Sequence, residues 1–165
     1  MKRAMAVQQV FIYMIAGLSF AFILIFGVNM VQDLMAKGEQ VEFMQFKTNL
    51  ENNVKKIYSD FGAARTLDFS LPVKYTEICF VDMDEAYDES LCADSVIACD
   101  AWETAGSWDG ADQNVFLDPP APAAIKTYKL RMEDGYMCIP VVNGKFTLRL
   151  EGRGNAAYIS QLVYE

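Results

Sequence analysis

The chain has 165 residues, with 14 Lys and Arg against 22 Asp and Glu, and therefore a formal net charge of −8. This acidic balance argues against a nucleic-acid-binding protein, because such proteins present a basic face to phosphate. The sequence contains no histidine, which removes the commonest general base and the commonest ligand of zinc and copper sites.

The first element in chain order is a long apolar run. Lys2 and Arg3 are followed by 29 uncharged residues, up to Asp33, and residues 10–28 are almost entirely apolar. A run of this length crosses the ~30 Å hydrocarbon core as a helix, whereas a cleaved secretory peptide is shorter. Because basic residues stay on the cytoplasmic side, we predict a single-pass membrane protein with a cytoplasmic N-terminus and an extracellular C-terminal domain.

A second helical pattern follows the apolar run. Within residues 33–62, apolar side chains recur every three or four residues, and polar side chains fill much of the remaining surface. This spacing predicts an amphipathic extension of the same helix, capped by Gly62 and packed on a soluble domain. The apolar stripe consists of Phe43, Phe46, Leu50, Val54, Ile57 and Phe61.

Residues 63–165 have the pattern of a small antiparallel β domain, a meander of four strands preceded by one earlier strand. Pro140 lacks a backbone donor, which indicates an edge strand or a bulge. We therefore predict an α+β fold in which the long N-terminal helix packs on a small antiparallel sheet. The turn signals are Asp134-Gly135, Asn143-Gly144 and residues 152–155. The predicted strands cover residues 73–81, 126–133, 136–142, 145–151 and 156–164.

Residues 83–124 interrupt the strand pattern as a long acidic loop. Twelve acidic residues and no Lys or Arg lie between Tyr75 and Ile125. A connection of this length is either functional or disordered. Trp102 and Trp108 lie in it, either as anchors to the sheet or as an exposed contact surface, for example for a sugar.

The four cysteines all lie beyond the apolar run. An even number fits two disulfides in an oxidising compartment, and sequence alone leaves three pairings open. We favour Cys79–Cys138 with Cys92–Cys99, because Cys79 and Cys138 both lie in predicted strands. A zinc site of four thiolates is the alternative, although the sequence has no Cys-x2-Cys pair.

Asp82, Asp84 and Asp88 form an oxygen-rich cluster, which is a candidate calcium site. An EF-hand would require Gly and Glu where this chain has Tyr87 and Ala93, so the cluster is not that motif. A solvated acidic loop is the alternative to a calcium site. No nucleophile motif, phosphate-binding loop or metalloprotease motif accompanies the paired carboxylates, so we expect no enzyme and no other cofactor.

The order of these parts resembles an archaeal type IV pilin-like protein. The segment "KRAMA" is similar to the class III signal peptide of that family, which a prepilin peptidase cleaves after a Lys or Arg followed by a Gly or Ala. The resemblance implies cleavage between Ala4 and Met5, with Arg3 as the basic residue. Residues 1–4 would be the leader, and residues 5–32 would remain as the membrane and filament-core helix.

The resemblance also implies how copies of the chain assemble. Many pilins carry Glu at the fifth mature position, where this chain has the uncharged Gln9. Gly17 and Gly27 would allow copies of the apolar helix to approach closely. The implied function is a structural subunit, major or minor, of an extracellular pilus-like filament or a related assembly apparatus. Its implied partners are copies of itself, the membrane, the prepilin peptidase and the pilus assembly machinery.

Two other functions stay open from the sequence. A single-pass anchored surface protein would use its acidic loop to hold a partner, calcium or a glycan, and its binding would be lost on deletion of residues 83–124. A subunit of a membrane enzyme complex would use the apolar helix only for docking, and co-purification would reveal its partners.

Overall fold

The computed structural model describes the backbone of residues 2–160 and the side chains of residues 10–160 except residue 36. The chain divides into two compact units, Met1–Val41 and Glu42–Glu165. Helix α1 spans Lys2–Tyr58 and contributes to both. The sequence has no proline before residue 72, so no position in this stretch lacks a helical backbone donor.

Two short helices and seven strands follow α1. In chain order they are β1 (Ala64–Ser70), β2 (Glu77–Val81), α2 (Leu91–Asp94), α3 (Val96–Ala105), β3 (Val115–Asp118), β4 (Leu130–Arg131), β5 (Tyr136–Pro140), β6 (Lys145–Gly152) and β7 (Ala157–Ser160). The fold is therefore α+β with a long N-terminal helix, as the sequence predicted.

The strands form two sheets rather than one antiparallel meander. One sheet has the order β1-β6-β7-β4 and the other the order β3-β2-β5. Strands β4 and β7 pair in parallel, and β5 pairs with β2 instead of with its neighbours in sequence. The predicted meander was wrong because turn signals fix only local reversals, whereas these pairings join distant segments. Pro140 ends β5, which is an edge strand, in agreement with one of its two interpretations.

The predicted strand limits differ from the structure in several places. The predicted strand 73–81 is confined to β2, and the predicted strand 126–133 is reduced to β4. Strand β1 was missed, because only Phe69 among its side chains is buried and its alternation is weak. The part of the last predicted strand beyond residue 160 lies outside the described residues.

The main core lies between the second half of α1 and the two sheets. Phe43, Phe46, Leu50, Val54 and Ile57 are each at most 3% exposed and belong to one cluster with residues of both sheets. The Phe46 ring packs edge-on against Phe69 and Phe146, at centroid distances of 6.2 and 5.9 Å. Phe61 is the exception to the predicted stripe, since α1 ends at Tyr58 and Phe61 is 80% exposed.

A second core lies on the other face of the three-stranded sheet. Ile78 and Phe80 of β2 face the main core, whereas Cys79 and Val81 face a cluster that includes Trp102 of α3. Because β2 is central and buried on both faces, its residues 78–81 form an apolar run without alternation.

The segment 83–124 is not a continuous loop, contrary to what its composition indicated. It contains α2, α3 and β3. The Ser95 side chain caps α3 by accepting a hydrogen bond from the Ala98 backbone N–H at 3.3 Å, and Gly106 ends the helix with a left-handed φ of 65°. We call residues 82–118 the acidic lobe.

Two disulfides close the fold, in the pairing that the sequence favoured. Cys79 is bonded to Cys138 between β2 and β5, and Cys92 is bonded to Cys99 between α2 and α3. All four sulfurs are therefore consumed, which excludes the four-thiolate zinc site.

Candidate assembly helix and acidic lobe

Residues 10–35, which we call the apolar segment, expose apolar side chains on every side of α1. The large apolar residues in this range are all at least half exposed, from 51% for Leu24 to 68% for Ile23. Among the described residues, α1 is the one helix long and apolar enough to cross a membrane. Together with two disulfides, this helix fits a single-pass membrane or extracellular protein.

Glycines leave open surface on the apolar segment. A side-chain carbon placed at Gly17 or Gly27 would meet no atom within 4 Å beyond the adjoining residues and helix backbone. Gly27 lies in a shallow apolar depression, and a small residue at such a place lets a second helix approach closely. The depression is lined by Ile23, Leu24, Gly27, Val28, Val31 and Gln32.

The residues assigned to processing and to the fifth mature position lie at the start of α1. Arg3, Ala4, Met5 and Gln9 fall within its backbone range, but their side chains lie outside the described residues. Cleavage after Ala4 therefore stays a prediction.

The start of the acidic lobe is held by ion pairs to residues outside it. Lys129 Nζ donates to Asp84 Oδ2 at 2.7 Å, and the Trp108 backbone N–H donates to Asp84 Oδ1 at 3.0 Å. The hydrogen bond from Lys129, followed by that from Trp108, lowers the pKa of Asp84 below its ordinary value. The charged Asp84 side chain therefore connects the acidic lobe to Lys129, which directly precedes β4.

Asp82 is a buried carboxylate in the same network. Its Oδ1 accepts the Asp84 backbone N–H at 3.1 Å, and its Oδ2 forms an ion pair at 3.2 Å with Arg131 Nη1 that lacks hydrogen-bond geometry. Arg131 Nη1 also donates to Glu85 Oε2 at 2.9 Å. Burial raises the pKa of Asp82, and the hydrogen bond from the Asp84 backbone, followed by the pair with Arg131, opposes that shift only in part.

The three carboxylates of the candidate calcium site do not converge. Asp88 Oδ1 accepts the Ser90 backbone N–H at 2.8 Å, which lowers the pKa of Asp88, while Asp82 and Asp84 face Arg131 and Lys129. Two of the three carboxylates are thus already paired with protein cations, and calcium binding stays an untested prediction.

A different group of metal-ligating residue types does come together among the described residues. It consists of Glu77, Cys79 and Cys138, but both of its sulfurs are bound in a disulfide. They are not thiolates and cannot ligate a metal as such, so this group is not a metal site either.

Both tryptophans of the acidic lobe act as anchors. Trp102 is 3% exposed and packs edge-on against Tyr87 and Tyr136. Trp108 Nε1 donates to the Thr127 carbonyl at 3.0 Å, and Lys126 Nζ lies 4.3 Å from its ring centroid. These contacts agree with the anchoring interpretation and not with an exposed sugar-binding face.

Sequence reasoning missed Lys129 and Arg131, which pair with the first three acidic residues of the acidic lobe, Asp82, Asp84 and Glu85. They lie 45 and 46 positions from the acidic partners to which they donate hydrogen bonds, Asp84 and Glu85. Pairing at that separation leaves no local pattern. Comparison with known proteins adds no further assignment: no protein-family model matches the chain, and neither the curated proteins nor the solved structures give a match.

Proposed function

We propose that this protein is a pilin-like structural subunit of an extracellular filament, assembled through the apolar segment. The observation that supports this proposal most strongly is that the two halves of α1 have different surroundings. The apolar stripe of its second half is buried in the core of a small disulfide-bonded domain, and its first half exposes apolar side chains all round. A helix that is apolar all round requires apolar surroundings that its own unit does not supply.

Two kinds of surroundings meet this requirement, and a pilin uses both in turn. A bilayer covers the segment before assembly, and a bundle of identical helices covers it afterwards. Moving from one to the other exchanges apolar contact for apolar contact, so the transfer need not expose apolar area to water. The 29 uncharged residues after Arg3 and the open surface at Gly17 and Gly27 suit such a bundle.

The acidic lobe gives weaker support to the alternative of an anchored binding protein. Its most buried carboxylate, Asp82, and the neighbouring Asp84 are already paired with Arg131 and Lys129. These groups stabilise the lobe on its own domain and are not directed at a ligand.

Mass spectrometry of the native N-terminus tests the proposal. We expect material sheared from the surface of producing cells to begin at Met5 and to sediment as a polymer. Ala4→Leu, which enlarges the residue before the proposed cut, should leave an uncleaved, membrane-bound chain, whereas the matched Ala6→Leu variant should still be cleaved. An intact Met1 on surface-exposed, monomeric wild-type protein would contradict the proposal and favour a plain membrane anchor.

A further inference from the structure

Helix α3 presents an exposed stripe whose composition is unusual for a solvated surface. Its inner side is buried in the second core, whereas Val96 is 73% and Ile97 49% exposed on its outer side. Asp94, Asp100 and Glu103 are exposed beside them. Seven acidic residues and no Lys or Arg lie between positions 88 and 112, so the stripe is an apolar centre with an acidic rim.

Phe61 forms a second exposed apolar feature, at one end of the four-stranded sheet. It lies in the turn between α1 and β1, which is fixed by two backbone hydrogen bonds of 2.8 Å, from Gly62 N–H to the Gly152 carbonyl and from Gly152 N–H to the Ala63 carbonyl. A Cβ placed on Gly154 would lie 3.1 Å from the Phe61 ring, so the ring rests against that turn. Phe61 is therefore a held, projecting side chain at 80% exposure.

The surroundings of Phe61 have the opposite charge to the α3 stripe. Within the described contacts, Lys56 and Arg65 have no acidic partner, whereas Arg153 lies 3.6 Å from Glu151 and over the Tyr158 ring. Cations outnumber anions in the two segments that meet at this turn, 55–65 and 151–155. They are Lys55, Lys56, Arg65 and Arg153 against Asp60 and Glu151.

We propose that Phe61 of one copy docks between Val96 and Ile97 of a second copy, with basic and acidic rims facing each other. The inference rests on the proposed function and names the contact between neighbouring domains. Apolar centres with complementary rims are the arrangement of a protein–protein interface, and opposite potentials fix its register. Because the two surfaces differ, each copy can use one surface toward each of two neighbours, and such a head-to-tail contact extends along an open polymer.

The contact does not have to be strong alone. Copies already joined through the apolar segment present their domains to each other at high effective concentration, so a small additional interface is sufficient to set their register. Rim charges also make the contact dependent on ionic strength.

Site-specific photocrosslinking of the full chain tests the contact. The photoreactive residue p-benzoylphenylalanine replaces Phe61, and adducts are mapped by mass spectrometry in membranes and in the sheared filament fraction. We expect an intermolecular adduct on residues 96–103. The matched control places the same residue at Val142, which is 64% exposed on the turn between β5 and β6, and should give no adduct there.

Reversing the charges of the two rims distinguishes a specific docking contact from chance proximity of neighbouring domains. Asp100→Lys with Glu103→Lys should lower the adduct yield several-fold, and adding Lys56→Glu with Arg65→Glu should restore it. Glu42→Lys with Glu133→Lys makes the same charge change elsewhere on the domain and should have no effect.

The outcomes separate this inference from the proposed function. A polymer without the adduct, an adduct on another protein, or a yield indifferent to charge reversal overturns the docking contact and leaves the filament. An adduct in membranes with no polymer supports the contact and overturns the filament. Absence of both overturns both.

Discussion

The two halves of α1 use similar apolar side chains for opposite purposes. Phe20, in the apolar segment, is 64% exposed, whereas Phe46, in the amphipathic half, is 3% exposed in the core of the second unit. The difference lies in the spacing of polar residues. In the amphipathic half, polar residues leave one apolar stripe, and the domain's own sheets cover it. The apolar segment is apolar on every side, so packing against one sheet would still leave apolar surface uncovered.

This comparison teaches where an assembly contact is to be sought. An apolar side chain that its own unit can bury contributes to folding, and one that it cannot bury is available to a membrane or to another molecule. If the two halves are separable in this way, a substitution in one half changes either the stability of the second unit or membrane association, but not both.

The largest expected difference comes from the same substitution in both halves. Phe46→Ala should lower the free energy of unfolding of the second unit by about 3–5 kcal/mol, because it leaves a cavity among Phe69 and Phe146. Phe20→Ala should change it by less than about 0.5 kcal/mol. Trp102 and Trp108 both lie in the second unit, so urea unfolding followed by tryptophan fluorescence in detergent measures this stability. Equal effects of the two variants would show that the halves are not separable.

Removing either disulfide should lower the stability of the second unit only, and the two disulfides should differ in the size of this effect. Cys79→Ser with Cys138→Ser opens a link across 59 positions and should cost about 4 kcal/mol by loop-closure entropy. Cys92→Ser with Cys99→Ser opens a link across 7 positions and should cost about 2 kcal/mol. Urea unfolding ranks the two variants, and the membrane-bound fraction of both should match wild type. A reversed ranking would contradict the entropic argument.

A charge placed in the apolar segment should weaken membrane association and leave the stability of the second unit unchanged. Leu24→Arg should disfavour membrane insertion by about 2.5–3.5 kcal/mol while leaving the unfolding of the second unit unchanged. Met44→Arg is the matched control, because Met44 is 50% exposed in the amphipathic half. Alkaline extraction of membranes measures the bound fraction. Loss of binding in both variants would mean that the second half of α1 also lies in the bilayer.

The helical part of this architecture was predictable because its signals are local. An apolar run without charges, followed by apolar residues three and four positions apart, identifies both halves of α1 and five of the six residues in the predicted stripe. Phe61 fits the same spacing, but the helix ends before it, and nothing in the spacing shows where the last turn stops. The cap signals of α3, Ser95 and Gly106, were also present and were obscured by the acidic composition around them.

The sheet arrangement and the acidic network were less predictable because they depend on distant partners. The parallel pairing of β4 with β7 joins Leu130 to Ala157 and has no turn signal. The ion pairs of Asp82 and Asp84 were unpredictable for the same reason, since Lys129 and Arg131 come from outside the acidic lobe. The favoured disulfide pairing succeeded because Cys79 and Cys138 lie opposite each other in paired strands, where side chains on one face are close.

The smallest expected effect concerns the pH dependence of the acidic lobe. The folded-state pKa of Asp84 is lowered, chiefly by Lys129, so the stability that this pair contributes is present above the unfolded pKa, about 3.9. It is lost as the pH falls through the folded pKa. Because Lys129 is 41% exposed, solvent screening keeps this contribution small.

Lys129→Met should therefore destabilise the second unit at neutral pH and have a smaller effect at acid pH, as the pH falls through the folded pKa of Asp84. Lys126→Met is the matched control, because Lys126 lies over the Trp108 ring and has no acidic partner among the described contacts. Its effect should not depend on pH in this range. Urea unfolding at both pH values measures the two differences, and the pH dependence of Asp82 cancels within each comparison. A Lys129→Met effect that persists undiminished at low pH would show that the lysine acts through packing and not through its charge.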